Sequence, residues 1–304
     1  MKGVLCIVVA SLLFGIKPSG DKYVVLSGVA PICVVFYSQL ILMVLAFLLT
    51  QVRRESLKVK WNDALYLMIL GAVGMGVTSF LVNSATQHIP VGLAIILHFL
   101  YPTIVSVVMV LFFQQKFTIF KLIAIICSIG GMILITNMDG DGEISVIGIL
   151  LALVSSLTYS FYMIANDKGK VNELSLLVKL VYSGLGSSLL FGLSSVFQGK
   201  VRLPGTVDAG IVLLTVCGFG NLGAFYFITA GIKQIGASTA SFVNMLEPIT
   251  SVIVSVIVYH DNLSAKIVAG MAMILSAVLL VALDGYKRWP TQKLHNSYMQ
   301  EREE

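Results

Sequence analysis

Charge is scarce in this chain. Only 12% of its 304 residues are Asp, Glu, Lys or Arg, roughly half of what a soluble domain carries. A surface of this size could not be covered with polar groups, which excludes a water-soluble fold. Cysteine is also rare: Cys6, Cys33, Cys127 and Cys217 all fall within apolar runs, where they read as small buried hydrophobes and not as a disulfide framework. No Walker motif occurs, so ATP-driven pumping by this chain is excluded. There are no clustered aspartates for a Mg²⁺-diphosphate and no His/Glu metal motif, so neither an enzyme, a cofactor nor a metal site is expected. The net charge of +5 gathers in particular loops and is no nucleic-acid signature.

What the chain does have is apolar length. Hydrophobic residues make up 57% of it, with a mean hydropathy of +0.94, a composition suited to a bilayer. The opening MKGVLCIVVASLLFG has no small-x-small cleavage site after it and reads as a retained first helix. Polar punctuation such as QVRRESLKVK, NMDGDGE and QGKVRLPGTVD leaves apolar runs near 3–20, 29–51, 63–86, 91–113, 118–137, 145–166, 174–197, 207–231, 237–259 and 264–285. A crossing needs about 20 apolar residues, so the expected fold is all-α and integral to the membrane, with ten transmembrane helices. Lys and Arg concentrate after even-numbered spans (Arg53, Arg54, Lys58, Lys60, Lys116, Lys168, Lys170, Lys287, Arg288), whereas the connection after span five is acidic (Asp139, Asp141, Glu143). The positive-inside rule then places both termini in the cytoplasm. Trp289 suits an interfacial anchor in a cytoplasmic tail, 286–304.

The two halves resemble each other at an offset of about 145 residues. QHIPVGLAIILHFLYPTIVSVVMV (Gln87–Val110) parallels KQIGASTASFVNMLEPITSVIVSV (Lys233–Val256), with Pro102 matching Pro248. VVASLLFG (Val8–Gly15) parallels LVSSLTYS (Leu153–Ser160). Two five-helix repeats are expected, 1–138 and 144–285; an odd number of crossings in each inverts the second relative to the first. Inverted repeats underlie alternating access in secondary transporters, with the site near the midplane. On these motifs the chain resembles the drug/metabolite transporter superfamily, EamA-type, over nearly its full length. Phe14-Gly15 stands where that family commonly has Trp-Gly, and Tyr37 falls near its usual second-helix arginine. The resemblance implies export or exchange of small organic metabolites across the cytoplasmic (inner) membrane.

Glu247 lies near the middle of span nine, where a charge costs about 2.5–3.5 kcal/mol on insertion scales and normally faces the bundle interior. At 100° per residue, Ser241, Asn244, Pro248, Ser251 and Ser255 form a stripe about 80° wide with Glu247 at its edge. The stripe reads either as a cavity wall or as small residues that permit close packing. His98 precedes Pro102 by four residues, as Asn244 precedes Pro248, and is the second polar candidate. Pro102 and Pro248 read as hinges that free a backbone carbonyl. Asn221 and Tyr226 in span eight, with Phe14, Tyr101 and Tyr159 as aromatic lining, complete the candidate substrate-binding set. Lys17 reads as snorkelling outward or reaching into the site, Asp167 and Lys168 as an exposed pair, and His88 as a solvated end residue. Gly71, Gly74, Gly76, Gly218, Gly220 and Gly223 suggest close helix contacts.

The leading expectation is a secondary transporter, monomer or homodimer, exporting amino acids or similar amphipathic compounds, with protons as the candidate coupling ion through Glu247. Cationic drug efflux and an uncoupled facilitator remain as alternatives.

Overall fold

The computed structural model describes residues 2–85, 87–89, 91–115, 118–135, 145–169, 171, 173–259 and 263–300. Asp139, Asp141, Glu143, Lys116, Lys170 and the side chains of Ser255, Lys287, Arg288 and Trp289 lie outside the described residues. Every regular element among the described residues is helical: α1 (Lys2–Leu26), α2 (Pro31–Val52), α3 (Trp61–Gly71), α4 (Thr78–Ala85), α5 (Val91–His98), α6 (Tyr101–Phe113), α7 (Ile119–Ile135), α8 (Val146–Lys168), α9 (Leu176–Phe197), α10 (Val207–Val212), α11 (Asn221–Val243), α12 (Glu247–Tyr259) and α13 (Ala265–Gln300). Among the described residues, seven helical stretches are long and apolar enough to cross a membrane. Large apolar side chains project outward, with Phe197 87% and Phe112 75% exposed. Water would penalise such a surface and lipid does not. The four cysteines are free.

The sequence stretch Val207–Val258 runs 52 residues, which as one straight helix would be about 78 Å long. It is not straight. Gly236, with φ +76° and ψ 158°, breaks α11 in a conformation that a side chain would strain. Contacts with α1 fix the direction of each arm. Before the break, Cys217 meets Gly20, Gly223 meets Leu13 and Gly231 meets Ile7, so the arm runs antiparallel to α1. After it, Asn244 meets Ser11 and Glu247 meets Gly15, so the second arm runs parallel. The chain therefore reverses at Gly236.

Two stretches widen to π-helical turns, Ala72–Val77 between α3 and α4 and Leu213–Gly220 between α10 and α11. Gly74 and Gly76 lie in the first and Gly218 and Gly220 in the second, with Gly71 and Gly223 just outside them, and π-turns are common at functional positions. Gly71 lies under the Ser183 carbonyl, Gly74 under Tyr162 and Gly218 under Ile41, so these glycines do make close helix contacts. Gly220 does not: the one atom near its would-be β-carbon is the Thr215 carbonyl of its own segment. Helices α7 and α13 cross where a β-carbon on Gly131 would fall 2.7 Å from the Gly270 carbonyl, and the converse contact is as tight. The first apolar run, 3–20, continues as helix through Pro18 to Leu26. Helix α13 likewise runs past 285 to Gln300.

Candidate functional site

Two helices are interrupted at matching positions. A turn at Phe99–Leu100 separates α5 from α6, immediately before Tyr101-Pro102. A tight 3₁₀ turn at Asn244–Leu246 precedes Glu247-Pro248. The cause is local. Proline cannot donate to the fourth residue before it, and its ring crowds that residue's carbonyl, so the helix tightens or opens just upstream. Both breaks place polar side chains where an unbroken apolar helix would hold only backbone.

The two breaks meet at Asn244, which is fully buried. Its Nδ2 donates to the Tyr101 hydroxyl (3.0 Å) and to Glu247 Oε2 (3.1 Å), while its Oδ1 accepts from Ser11 Oγ of α1 (3.0 Å). Both N–H groups and one lone pair of the oxygen are used, which fixes the amide's orientation. Tyr101 Oη donates in turn to the Ser241 carbonyl at 3.4 Å. Glu247 is half-buried, and its carboxylate is held by the Asn244 donor. Gly15 brings α1 against this point: a β-carbon there would sit 2.7 Å from the Glu247 carbonyl and 2.5 Å from Thr250 Cβ.

His98 lies beside this network. Its Nδ1 bonds Ser155 Oγ on α8 at 3.0 Å, and its ring contacts Tyr101 and Tyr159. Tyr101 packs edge-on to Tyr159 (centroids 4.7 Å apart), Tyr159 stacks on Tyr162 (6.1 Å), Tyr162 meets Phe225 (5.5 Å), and Phe225 meets Phe14 (5.0 Å). This aromatic wall crosses from α6 through α8 and α11 to α1. The structure thus brings together Glu247, Asn244, Tyr101, His98 and Tyr159, with Phe14 at the far end of the wall and the Ser241 carbonyl beneath. Ser241 Oγ itself turns back to the Ser238 carbonyl. Asn221 is fully buried, and neither side-chain amide atom has a hydrogen-bond partner among the described residues. Tyr226 packs edge-on to Phe227 (5.6 Å). His88 is exposed.

Sequence reasoning missed Ser11, Gly15 and Ser155 as site residues. Ser11 and Gly15 are one helical turn apart, so they share a face of α1, and that was the available signal. Asp167 does pair with Lys168 at 3.9 Å, but unlike Lys168 it is largely buried. Its Oδ2 accepts from the Ala237 amide at 3.0 Å, capping the helix arm that begins after Gly236. Near the same turn Lys121 Nζ donates to Ser238 Oγ (2.8 Å), which contacts Ser106 Oγ (3.1 Å). Among the described residues no group of three or more His, Cys, Asp or Glu side chains could hold a metal ion.

One carboxylate, one imidazole, a fixed amide and an aromatic wall suit reversible binding of a small solute with an apolar body. Comparisons with known proteins find transporters. The model of the EamA-like transporter family matches residues 1–137 and again 146–283. An "uncharacterized transporter" of Archaeoglobus fulgidus is 25% identical over 74% of this chain and 79% of its own length. The "uncharacterized inner membrane transporter YicL" of Salmonella typhimurium is 24% identical over 94% of this chain and 97% of its own. A solved crystal structure superposes with a TM-score of 0.78 at 16% identity, over 93% of this chain and 98% of the other; at that identity it speaks to the fold alone.

Proposed function

The chain belongs to the EamA-like transporter family, and from that premise we propose that it is a secondary transporter for small amphipathic organic metabolites, amino acids or related amines. The observation that carries this reading is the meeting of the two broken helices at Asn244, with Tyr101 and Glu247 as its hydrogen-bond partners. Interrupted helices that cross at depth are the usual substrate sites of secondary transporters, because irregular backbone survives in a membrane only where it is buried or lines a cavity. The protein is a multi-pass membrane protein, and α1 to α13 supply ten crossings when the arms at Gly236 are counted separately and the two helices around each π-turn or proline break are joined.

The twofold match of one family model, the paired π-turns and the paired breaks support a division into two five-helix halves, inverted by the odd number of crossings in each. Rocking of these halves about the Asn244 level exposes the site alternately to the two faces of the membrane. The Lys/Arg asymmetry of the loops orients both termini to the cytoplasm, and export is the working direction. Glu247 pairs with the solute's ammonium or with a proton, and exchange of the two couples transport. Tyr159, Tyr101 and Phe14 take the apolar body, and His98 takes a polar group. A permanently cationic, drug-like solute and an uncoupled facilitator are the second readings, favoured by the single carboxylate at the site.

Counterflow in proteoliposomes tests this. Among labelled amino acids and their amines, at least one compound is expected to show saturable exchange that a pH gradient accelerates. Saturable exchange indifferent to the gradient would leave the facilitator, and no saturable flux for any compound would overturn the transporter reading.

A further inference from the structure

A second polar cluster adjoins Glu247. Lys17 Nζ lies 2.5 Å from Asp21 Oδ2, and both side chains are largely buried, 12% and 19% exposed, within α1. Asp21 Oδ1 has no hydrogen-bond partner among the described residues. Gly15, two residues before Lys17, is pressed onto the Glu247 backbone, which brings this stretch of α1 alongside Glu247. Cys217 abuts Gly20 and Phe225 abuts Phe14. These contacts bracket Asn221, with its two unpartnered amide atoms, beside the same stretch of α1. Among the described residues, the other titratable groups beside this network are Tyr101 on α6, Tyr159 on α8 and His98 on α5, and Cys217 packs against Gly20 next to Asp21.

One ammonium therefore lies on a stretch of α1 that meets two carboxylate residues, Asp21 by direct pairing and Glu247 through the Gly15 contact. A buried charge left without a partner is strongly penalised, so Lys17 satisfies one acid at a time and the other needs a positive charge from outside. We propose that Lys17 is the alternating counter-ion of Asp21 and Glu247, held by Asp21 while Glu247 carries a proton or a substrate cation and moved to Glu247 when that charge leaves. Asn221 offers the ammonium hydrogen-bonding groups along that path, and the release of Asp21 reports the state of the site to the far half of α1. Lys17 is on this account a positioning residue that acts through Glu247. The inference rests on the reading of Glu247 as the site's ionisable group.

The test needs no substrate. In purified protein in liposomes, the infrared carboxyl band that Glu247→Gln removes is followed against pH. Lys17→Met takes the positive charge from beside Glu247, and Asp21→Asn frees it to move there. The band's midpoint is therefore expected to move in opposite directions in the two variants, by about one pH unit each, and to stay at the wild-type position in Lys17→Arg. Melting curves in detergent accompany each variant, and Asp21→Asn with Lys17→Arg suffices if Lys17→Met does not fold. A midpoint that neither Lys17→Met nor Asp21→Asn moves, or that both move the same way, would overturn the shared counter-ion while leaving Glu247 as the site. If Glu247→Gln removes no carboxyl band, the reading of Glu247 itself falls, and the inference with it.

Discussion

Glu247→Gln is expected to lower coupled flux roughly 10- to 100-fold while leaving the protein folded. A hydrogen bond to a charged group contributes about 1.5–3 kcal/mol, and each 1.4 kcal/mol is a factor of about ten in affinity. Glutamine keeps the shape and still offers an oxygen to Asn244 Nδ2, so the Ser11–Asn244–Tyr101 chain of hydrogen bonds persists. The loss should therefore appear in transport and in its pH dependence, with the melting temperature nearly unchanged. Flux equal to wild type in Glu247→Gln would remove the carboxylate from the mechanism.

The largest effect on stability is expected from glycines at the α3–α9 crossing. A β-carbon on Gly71 would overlap the Ser183 carbonyl, and one on Gly186 would overlap the Met68 carbonyl. Neither obstacle is a flexible side chain, so the helices must separate along their length. Overpacking of this kind costs about 1–3 kcal/mol and sometimes more, which predicts a fall of several degrees in apparent Tm for Gly71→Ala and for Gly186→Ala. Gly210 in α10 is the matched control. Nothing lies within 4 Å of its would-be β-carbon, and alanine is favoured over glycine inside a helix by about 0.5–1 kcal/mol. Gly210→Ala should melt no lower than wild type. A common response of all three variants would mean that the crossing is not as close as described.

Much of this architecture was legible in the sequence because lipid imposes simple rules. Apolar runs of fixed length, polar punctuation and two prolines at matching positions suffice to mark spans and breaks. Asn244 and His98 stood out because a polar group four residues before a membrane proline has few bland explanations. Contacts between distant helices were harder to read. That Gly15 sits on the Glu247 backbone, or that Ser11 reaches Asn244, depends on how α1 crosses the arm beyond Gly236, and apolar periodicity does not encode a crossing. Lys17 was ambiguous for the same reason: snorkelling and pairing demand the same residue, and Asp21 one turn away decides between them only once α1 is seen to continue through Pro18. The π-turns show the limit from another side. Their glycines signalled close contacts, and most make them, but the widened backbone follows from the packing of whole helices.

The central claim is that one site between the broken helices opens to each side of the membrane in turn. Ser11 is fully buried and hydrogen-bonded to Asn244, so a cysteine there is a small change at the centre of the site. In a background with the four native cysteines replaced, Ser11→Cys in sealed, oriented vesicles should react with a membrane-impermeant thiol reagent applied to either face, and a transported solute should slow both reactions. Reaction from one face alone, with or without solute, would contradict alternating access at this site.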